Sequence, residues 1–309
     1  MFVADAHCDT LFEIAIKGAA PRRCVVTPER LKAGGVGLQT FALFTGREGP
    51  KGTPYIDGQA MLAAASWLDA PMLRDNLPGE PPQSPMGIFS CEGGEMLEGS
   101  LERLTEFQLA ARLRMLALTW NFENEIGYPA ALGPKRGLKP FGFRLLGAMD
   151  RYGILADTSH LNEAGFWDVC ERTSLPPIAS HSNCRWLCDV PRNLKKAQVK
   201  AIIDRGGFIG VNFYSNFLRT DGQPTLDDVV RHIDAICAMG GEHVVGFGSD
   251  FDGFDDFDAL PEGLSDPSCF PALLDALRRR GYSEQTLENI AGMNLWNLLK
   301  RAEREAKII

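Results

Sequence analysis

Apolar and polar positions along the chain alternate between two periods. Short apolar, β-branched runs end in Gly, Ser, Asp or His, and most are followed by a stretch with helical spacing. Eight runs have strand character, at 2–6, 36–44, 86–90, 114–119, 154–158, 177–180, 208–213 and 244–248. Helical stretches are expected at 58–69, 101–113, 143–152, 162–171, 194–205 and 226–239. In the second of these, Leu101, Leu104, Phe107, Leu109 and Leu113 form the apolar stripe. Asn162 before Glu163, and Thr225 before Asp227 and Asp228, read as helix starts. The C-terminal part is largely helical, at 271–280 and 283–305.

Strand alternating with helix implies a parallel sheet covered by helices. Eight such units in about 250 residues predict a TIM-type (β/α)8 barrel with extra C-terminal helices. Residues 1–309 are expected to form one domain. No GxGxxG follows the first strand, which removes the simplest case for a nucleotide-binding open sheet.

Composition changes this picture little. Hydrophobic residues are 45% and charged residues 23%, with 32 Gly and 19 Pro, as in ordinary globular proteins. The net charge of −8 provides no general field for nucleic acid or an anionic membrane. No apolar run is long enough to span a bilayer, and Met1-Phe2-Val3 reads as a strand start, not a leader. The eight cysteines are scattered without a CxxC, so reduced thiols in a cytoplasmic protein are expected.

The chemistry lies at the strand ends, which in a barrel face one mouth. The first strand runs into His7-Cys8-Asp9, and extended alternation puts His7 and Asp9 on one side. The third ends at Glu92-Gly93-Gly94, the fifth in Asp157-Thr158-Ser159-His160, the sixth in Ser180-His181-Ser182, and the eighth in Gly248-Ser249-Asp250. Taken singly, the first four are more readily surface, turn or satisfied structural residues, and the last is as readily a turn as a site. Together, His7, His160 and His181 with Asp9, Glu92 and Asp250 make a nitrogen and oxygen set suited to Zn²⁺, with Mn²⁺ or another divalent ion as the alternative. A Glu bridging two ligand groups would hold two metals roughly 3.5–4 Å apart. The following acids, Asp255, Asp256 and Asp258, read as solvated surface, since EF-hand spacing is absent.

Asp5-Ala6-His7-Cys8-Asp9, Glu92-Gly93-Gly94, Ser180-His181-Ser182, Pro191-Arg192-Asn193, Val211-Asn212-Phe213-Tyr214 and Gly248-Ser249-Asp250-Phe251-Asp252-Gly253 resemble the membrane (renal) dipeptidase family, peptidase family M19 of the amidohydrolase superfamily. The likeness extends over nearly the whole chain. It implies a binuclear zinc barrel that cleaves dipeptides, including ones with a D-residue at the C-terminal side. It also implies that His7 and Asp9 bind one metal, His160 and His181 the other, and Glu92 both. Asp250 would handle the proton of a metal-bridging water, and Arg192 would grip the substrate's carboxylate. Tyr214, in the Val211–Tyr214 motif, is a further expected substrate contact. Related barrels often pair, so a homodimer is one open arrangement, although the sequence does not fix the oligomer.

One departure stands out. Where familiar members have Leu-Thr-His, with the His contacting the scissile carbonyl, this chain has Leu118-Thr119-Trp120-Asn121. Trp120 offers only an indole N–H. Asn121, Asn124 or Tyr128 are candidates to replace the lost donor, and Trp120 itself is either a substitute or an aromatic wall selecting side chains. The departure keeps two other readings open: a binuclear hydrolase of another small amide, cyclic amide or lactone, and a metal-binding barrel without turnover. Cys8 and Cys91 are expected to point away from the metals, Cys184 and Cys188 to be loop or packing residues, and Trp167, Trp186 and Trp296 to lie in the core.

Overall fold

The computed structural model describes residues 1–46, 53–68, 70–254 and 259–308. Asp255, Asp256 and Asp258 lie outside the described residues, as does residue 69 at the end of the first expected helix. Among the described residues eight strands form: β1 (Val3–Asp5), β2 (Val36–Phe44), β3 (Met86–Glu92), β4 (Met115–Ala117), β5 (Leu155–Asp157), β6 (Ile178–Ala179), β7 (Phe208–Val211) and β8 (Val245–Phe247). They pair in parallel in sequence order, and β1 also pairs with β8, closing the barrel. The expected (β/α)8 architecture is the one observed.

Helices Leu101–Ala111, Pro140–Tyr152, Glu163–Arg172, Lys196–Arg205, Leu226–Cys237 and Phe270–Arg279 occupy the expected stretches. The Asn162 side chain accepts the Gly165 N–H at 2.9 Å, and Asp228 accepts the Thr225 N–H at 2.9 Å, so both start signals are real caps. Other expectations need correcting. The helix placed at 58–69 runs Thr53–Ala64, and Leu109 is 78% exposed, so it is not part of the buried stripe. Trp296 is core, Trp186 is half-buried, and Trp167 is 36% exposed. The expected helix at 283–305 is interrupted by a π-helical turn at Asn289–Met293. Short helices at Thr10–Ala15, Pro28–Ala33 and Ser215–Leu218 went unpredicted because fewer than two turns cannot show a repeating stripe.

Strand residues divide by parity. Phe89, Leu116, Ala156, Ala179 and Ile209 pack outward with helix residues such as Phe107, Phe166 and Ile202. Their neighbours Ile88, Met115, Leu155, Ile178 and Phe208 pack together with Leu295, Trp296 and Leu299. Period-two alternation makes this second set the barrel interior. Helix Asn294–Glu305 therefore fills the floor of the barrel, opposite the strands' C-terminal ends. Arg114, buried at the start of β4, clamps it there through Glu303 at 2.5 Å. Near the mouth the strands crowd: a Cβ on Gly248 would lie 1.8 Å from the Ser180 carbonyl oxygen, so no larger residue fits. Among the described residues no helix is long and apolar enough to cross a membrane.

His232 ties two mouth loops to helix Leu226–Cys237. Its Nδ1 accepts the Cys184 N–H at 3.0 Å and its Nε2–H donates to the Leu218 carbonyl at 3.0 Å. Burial lowers its pKa from 6.5 to about 4. Between those values the unfolded chain binds a proton that the folded one refuses. The stabilisation is therefore complete above about pH 6.5 and is lost as pH falls toward 4, amounting to about 3 kcal/mol. We expect His232→Gln to flatten the fall of the urea midpoint over that window relative to the parent. Parallel curves for the two proteins would contradict this.

Candidate active site

The six residues expected at the mouth meet there. His7 and Asp9 follow β1, Glu92 ends β3, His160 follows β5, His181 follows β6 and Asp250 follows β8, and all are buried. Glu92 is their centre. Its Oε2 faces His7 Nε2 at 3.3 Å, while its Oε1 faces His160 Nε2 at 2.8 Å and His181 Nε2 at 3.4 Å. His7 Nε2 also lies 3.5 Å from Asp9 and 3.6 Å from Asp250. Ligand atoms of His7, Glu92 and His181 lie within 4.8 Å of one another, as do those of His7, Asp9 and Asp250.

Neighbouring side chains orient these groups. Asn121 Oδ1 takes the His160 Nδ1–H at 3.0 Å. Ser180 donates its hydroxyl to Asp157, so its oxygen accepts the His181 Nδ1–H at 2.8 Å. Both partners fix the tautomer that leaves Nε2 bare. Asn212 Nδ2 donates to Asp250 Oδ2 at 2.8 Å, which leaves Oδ1 toward His7. Asp5 and Asp252 act below the surface of the site: Asp5 accepts from Ser249 and Gln39, and Asp252 accepts from Thr10, Val25 and Val26. Three mouth residues hold the left-handed backbone that only glycine adopts freely: His160 (φ 67°), Asp250 (φ 65°) and Asp252 (φ 63°). Each costs about 1–3 kcal/mol, maintained by the hydrogen bonds just named.

The electrostatics call for cations. Burial holds His160 at about pKa 4, with the Arg192 charge adding to it, and burial and His7 push His181 well down. Both rings are neutral, and their bare Nε2 lone pairs stand 3.0 Å apart while facing the same Glu92 oxygen. Three acceptors so placed repel unless a cation lies among them. On the other side, burial and Glu92 raise Asp9 to about 8, and burial raises Asp250 to about 6. His7 is raised despite its burial, because Glu92 and Asp9 outweigh it. Its Nε2 and Asp9 Oδ1 are buried without a hydrogen bond among the described residues. Divalent ions fit this donor set.

A cavity of about 440 Å³ opens onto the cluster and is lined by Asp9, Glu92, His160 and Asp250 with Trp120, Asn121, Arg192 and Tyr214. Arg192 is held by the His181 carbonyl at 3.5 Å and lies over the Phe217 ring at 5.3 Å. Its Nε is buried without a partner, and burial lowers its pKa only to about 10, so it stays charged. Of the three candidate replacements for the missing His, Asn121 alone lines this cavity among the described residues. Asn124 is consumed by the Leu118 carbonyl and by the Ile126 and Gly127 N–H groups, and Tyr128 lies under Arg136 and Lys139. Cys8 and Cys91 point into the hydrophobic core, as expected, and Cys184 and Cys188 are buried in the loop after His181. Sequence reasoning assigned no role to Asp157, Ser180, Asn212 or the rings of Phe12, Phe44, Phe217 and Phe254. Proximity to the quoted motifs was the available signal for the first three.

Comparison with known proteins agrees with this geometry. The family model described as membrane dipeptidase (peptidase family M19) matches residues 84–308. An uncharacterised protein encoded in the pqqA 5′ region of Klebsiella pneumoniae is 36% identical over 69% of this chain and 80% of its own length. An uncharacterised dipeptidase of Schizosaccharomyces pombe is 32% identical over 70% of this chain, which spans 52% of that relative. A Rhodobacter sphaeroides metallopeptidase, crystallised with a phosphinate mimic of L-Ala-D-Ala, superposes with a TM-score of 0.85 at 27% identity, covering 98% of this chain and 99% of that one. The chain belongs to the membrane dipeptidase family, peptidase family M19, and is a metallo-dipeptidase, a hydrolase acting on peptide bonds.

Proposed function

We propose that this chain hydrolyses free dipeptides with two divalent ions, Zn²⁺ being the ion its ligands suit best. His7 and Asp9 hold one ion and His160 and His181 the other, with Glu92 shared. This division is supported by the two faces of the Glu92 carboxylate, Oε2 toward His7 and Oε1 toward the other imidazoles. When bound, such ions supply acidified water and polarise a carbonyl.

The observation that carries the proposal is Arg192, a half-buried charged side chain whose Nε is buried and unbonded, in the same cavity as Glu92, His160 and Asp250. A guanidinium so placed matches a free carboxylate in bidentate fashion, which selects short peptides over internal bonds. Asp250, anchored through Oδ2 by Asn212, has Oδ1 free to take the proton from the attacking water. As the C–O bond forms and the C–N bond breaks, the same oxygen returns that proton to the leaving amine. Asn121 and Tyr214 complete the walls around the substrate. The reading extends to a D-residue at the second position, in line with the L-Ala-D-Ala mimic held by the Rhodobacter sphaeroides structure. It takes residues 1–309 as one hydrolase domain working in the cytoplasm, a reading that eight scattered, unpaired cysteines are in keeping with.

Amino-acid release from L-L and L-D dipeptides by Zn²⁺-reconstituted protein is the deciding measurement. Fully loaded protein that cleaves none of them overturns the proposal. Asp250→Asn should keep its metal while kcat falls about 10²–10⁴-fold. Arg192→Gln should raise KM about 10–100-fold for a dipeptide but leave KM for the matching dipeptide amide, which lacks the carboxylate, within a few-fold. Ser180→Ala frees the His181 ring, so chelator competition should show metal affinity about 10–100-fold weaker.

A further inference from the structure

Two separate groups of aromatic rings line the catalytic cavity. Tyr214 stacks on Phe254 at 4.4 Å and meets Phe217 edge-on at 4.8 Å, and Phe217 lies under Arg192. Through Phe217 this group lies beside the guanidinium proposed to bind the carboxylate. The second group is a chain: Phe12 meets Phe44 at 4.8 Å and Phe44 meets Trp120 at 5.0 Å, both edge to face. It begins 6.2 Å from the His160 ring and ends on the helix that follows Asp9. No ring contact joins the two groups among the described residues.

From this arrangement we infer that Phe12, Phe44 and Trp120 form the pocket for the side chain of the substrate's first residue, and that the preferred dipeptides begin with a neutral aromatic or large aliphatic residue. The inference rests on the dipeptidase reading above and deepens it. With the carboxylate at Arg192 and the scissile carbonyl over the Glu92 cluster, the first residue extends toward Asp9, along the second group.

Three observations favour an apolar occupant. The rings of Phe12, Phe44 and Trp120 are only partly buried, so they leave apolar surface facing the cavity that an apolar side chain would remove from water. The wall is rigid, because Trp120 is seated against Gly46: a Cβ there would fall 2.0 Å from the Trp120 Cβ. The cation-binding face at the Phe12 end is already taken, since Lys17 Nζ lies 5.6 Å from that ring and pairs with Glu13. A basic first residue would meet that resident charge.

The test compares kcat/KM for Phe-Ala, Leu-Ala, Gly-Ala and Lys-Ala with Zn²⁺-loaded protein. The parent should favour Phe-Ala and Leu-Ala over both others by about tenfold or more. Trp120→Ala should reduce the Phe-Ala to Gly-Ala ratio about tenfold, and Trp120→Phe should keep it within about threefold of the parent. Gly46→Ala, which displaces Trp120 without removing it, should lower the ratio in the same direction. A parent that treats Phe-Ala and Gly-Ala alike, or prefers Lys-Ala, overturns the inference while leaving dipeptide hydrolysis intact. So does a Trp120→Ala variant that changes selectivity only for the second residue, read from Ala-Phe against Ala-Gly. Absence of hydrolysis of every dipeptide overturns the underlying proposal as well.

Discussion

A carboxylate buried between imidazoles sets the terms for this mouth. Glu92 is almost fully buried at the base of the cavity, and each oxygen faces ring nitrogens from other strands. Burial alone would push its pKa up, yet the charge of His7 holds it well below the ordinary value. Asp9 and Asp250 crowd the same centre and drift upward instead. One carboxylate ionised and two reluctant, with His160 and His181 neutral and only His7 drawn toward its charged form, describes a site short of positive charge. The rest of the mouth keeps that shortage from relaxing by side-chain rearrangement.

That restraint comes from residues one layer back. Asp157 fixes Ser180, Ser180 fixes His181, and Asn121 fixes His160. Asp5 secures Ser249 beside Asp250, and Asp252 gathers the loop at Val25 and Val26. The left-handed backbone of His160 and Asp250 is affordable only because these bonds leave little alternative. Fixed orientation has a functional side: donors already aimed lose little entropy when a substrate or ion arrives.

The outline of the barrel was legible because buried parallel strands need apolar runs, and five of these runs lead into a polar residue that reaches the mouth. His7, Asp9, Glu92, His160, His181 and Asp250 could be picked from the chain since strand ends of one barrel face one place. Other features were hidden for physical reasons. Asn121 was expected to touch substrate, and it lines the cavity, but its bond to His160 depends on a loop path that no local pattern encodes. Asn124 and Tyr128 looked equally available, and tertiary contacts consumed both. Leu109 fitted the periodicity but falls on the exposed side of its helix, because a stripe in sequence is wider than the face that meets the sheet. The pairing of Gly46 with Trp120 spans distant positions and has no signature in either neighbourhood.

The helix that fills the barrel floor bears on how such a chain is made. Synthesis runs from the N-terminus, so all eight strands emerge before Asn294–Glu305 does. Until then the inward set of Ile88, Met115, Leu155 and Phe208 has no floor to pack against, and Arg114 has no Glu303. The β1–β8 seam joins residues as far apart as Asp5 and Phe247, which is itself a slow closure. A nascent chain therefore passes through an interval in which a nearly complete catalytic mouth stands on an open, greasy base. Chaperone capture is most useful in that interval, and truncations within the last helix should lead to aggregation even though they lie at the opposite end of the barrel from the mouth.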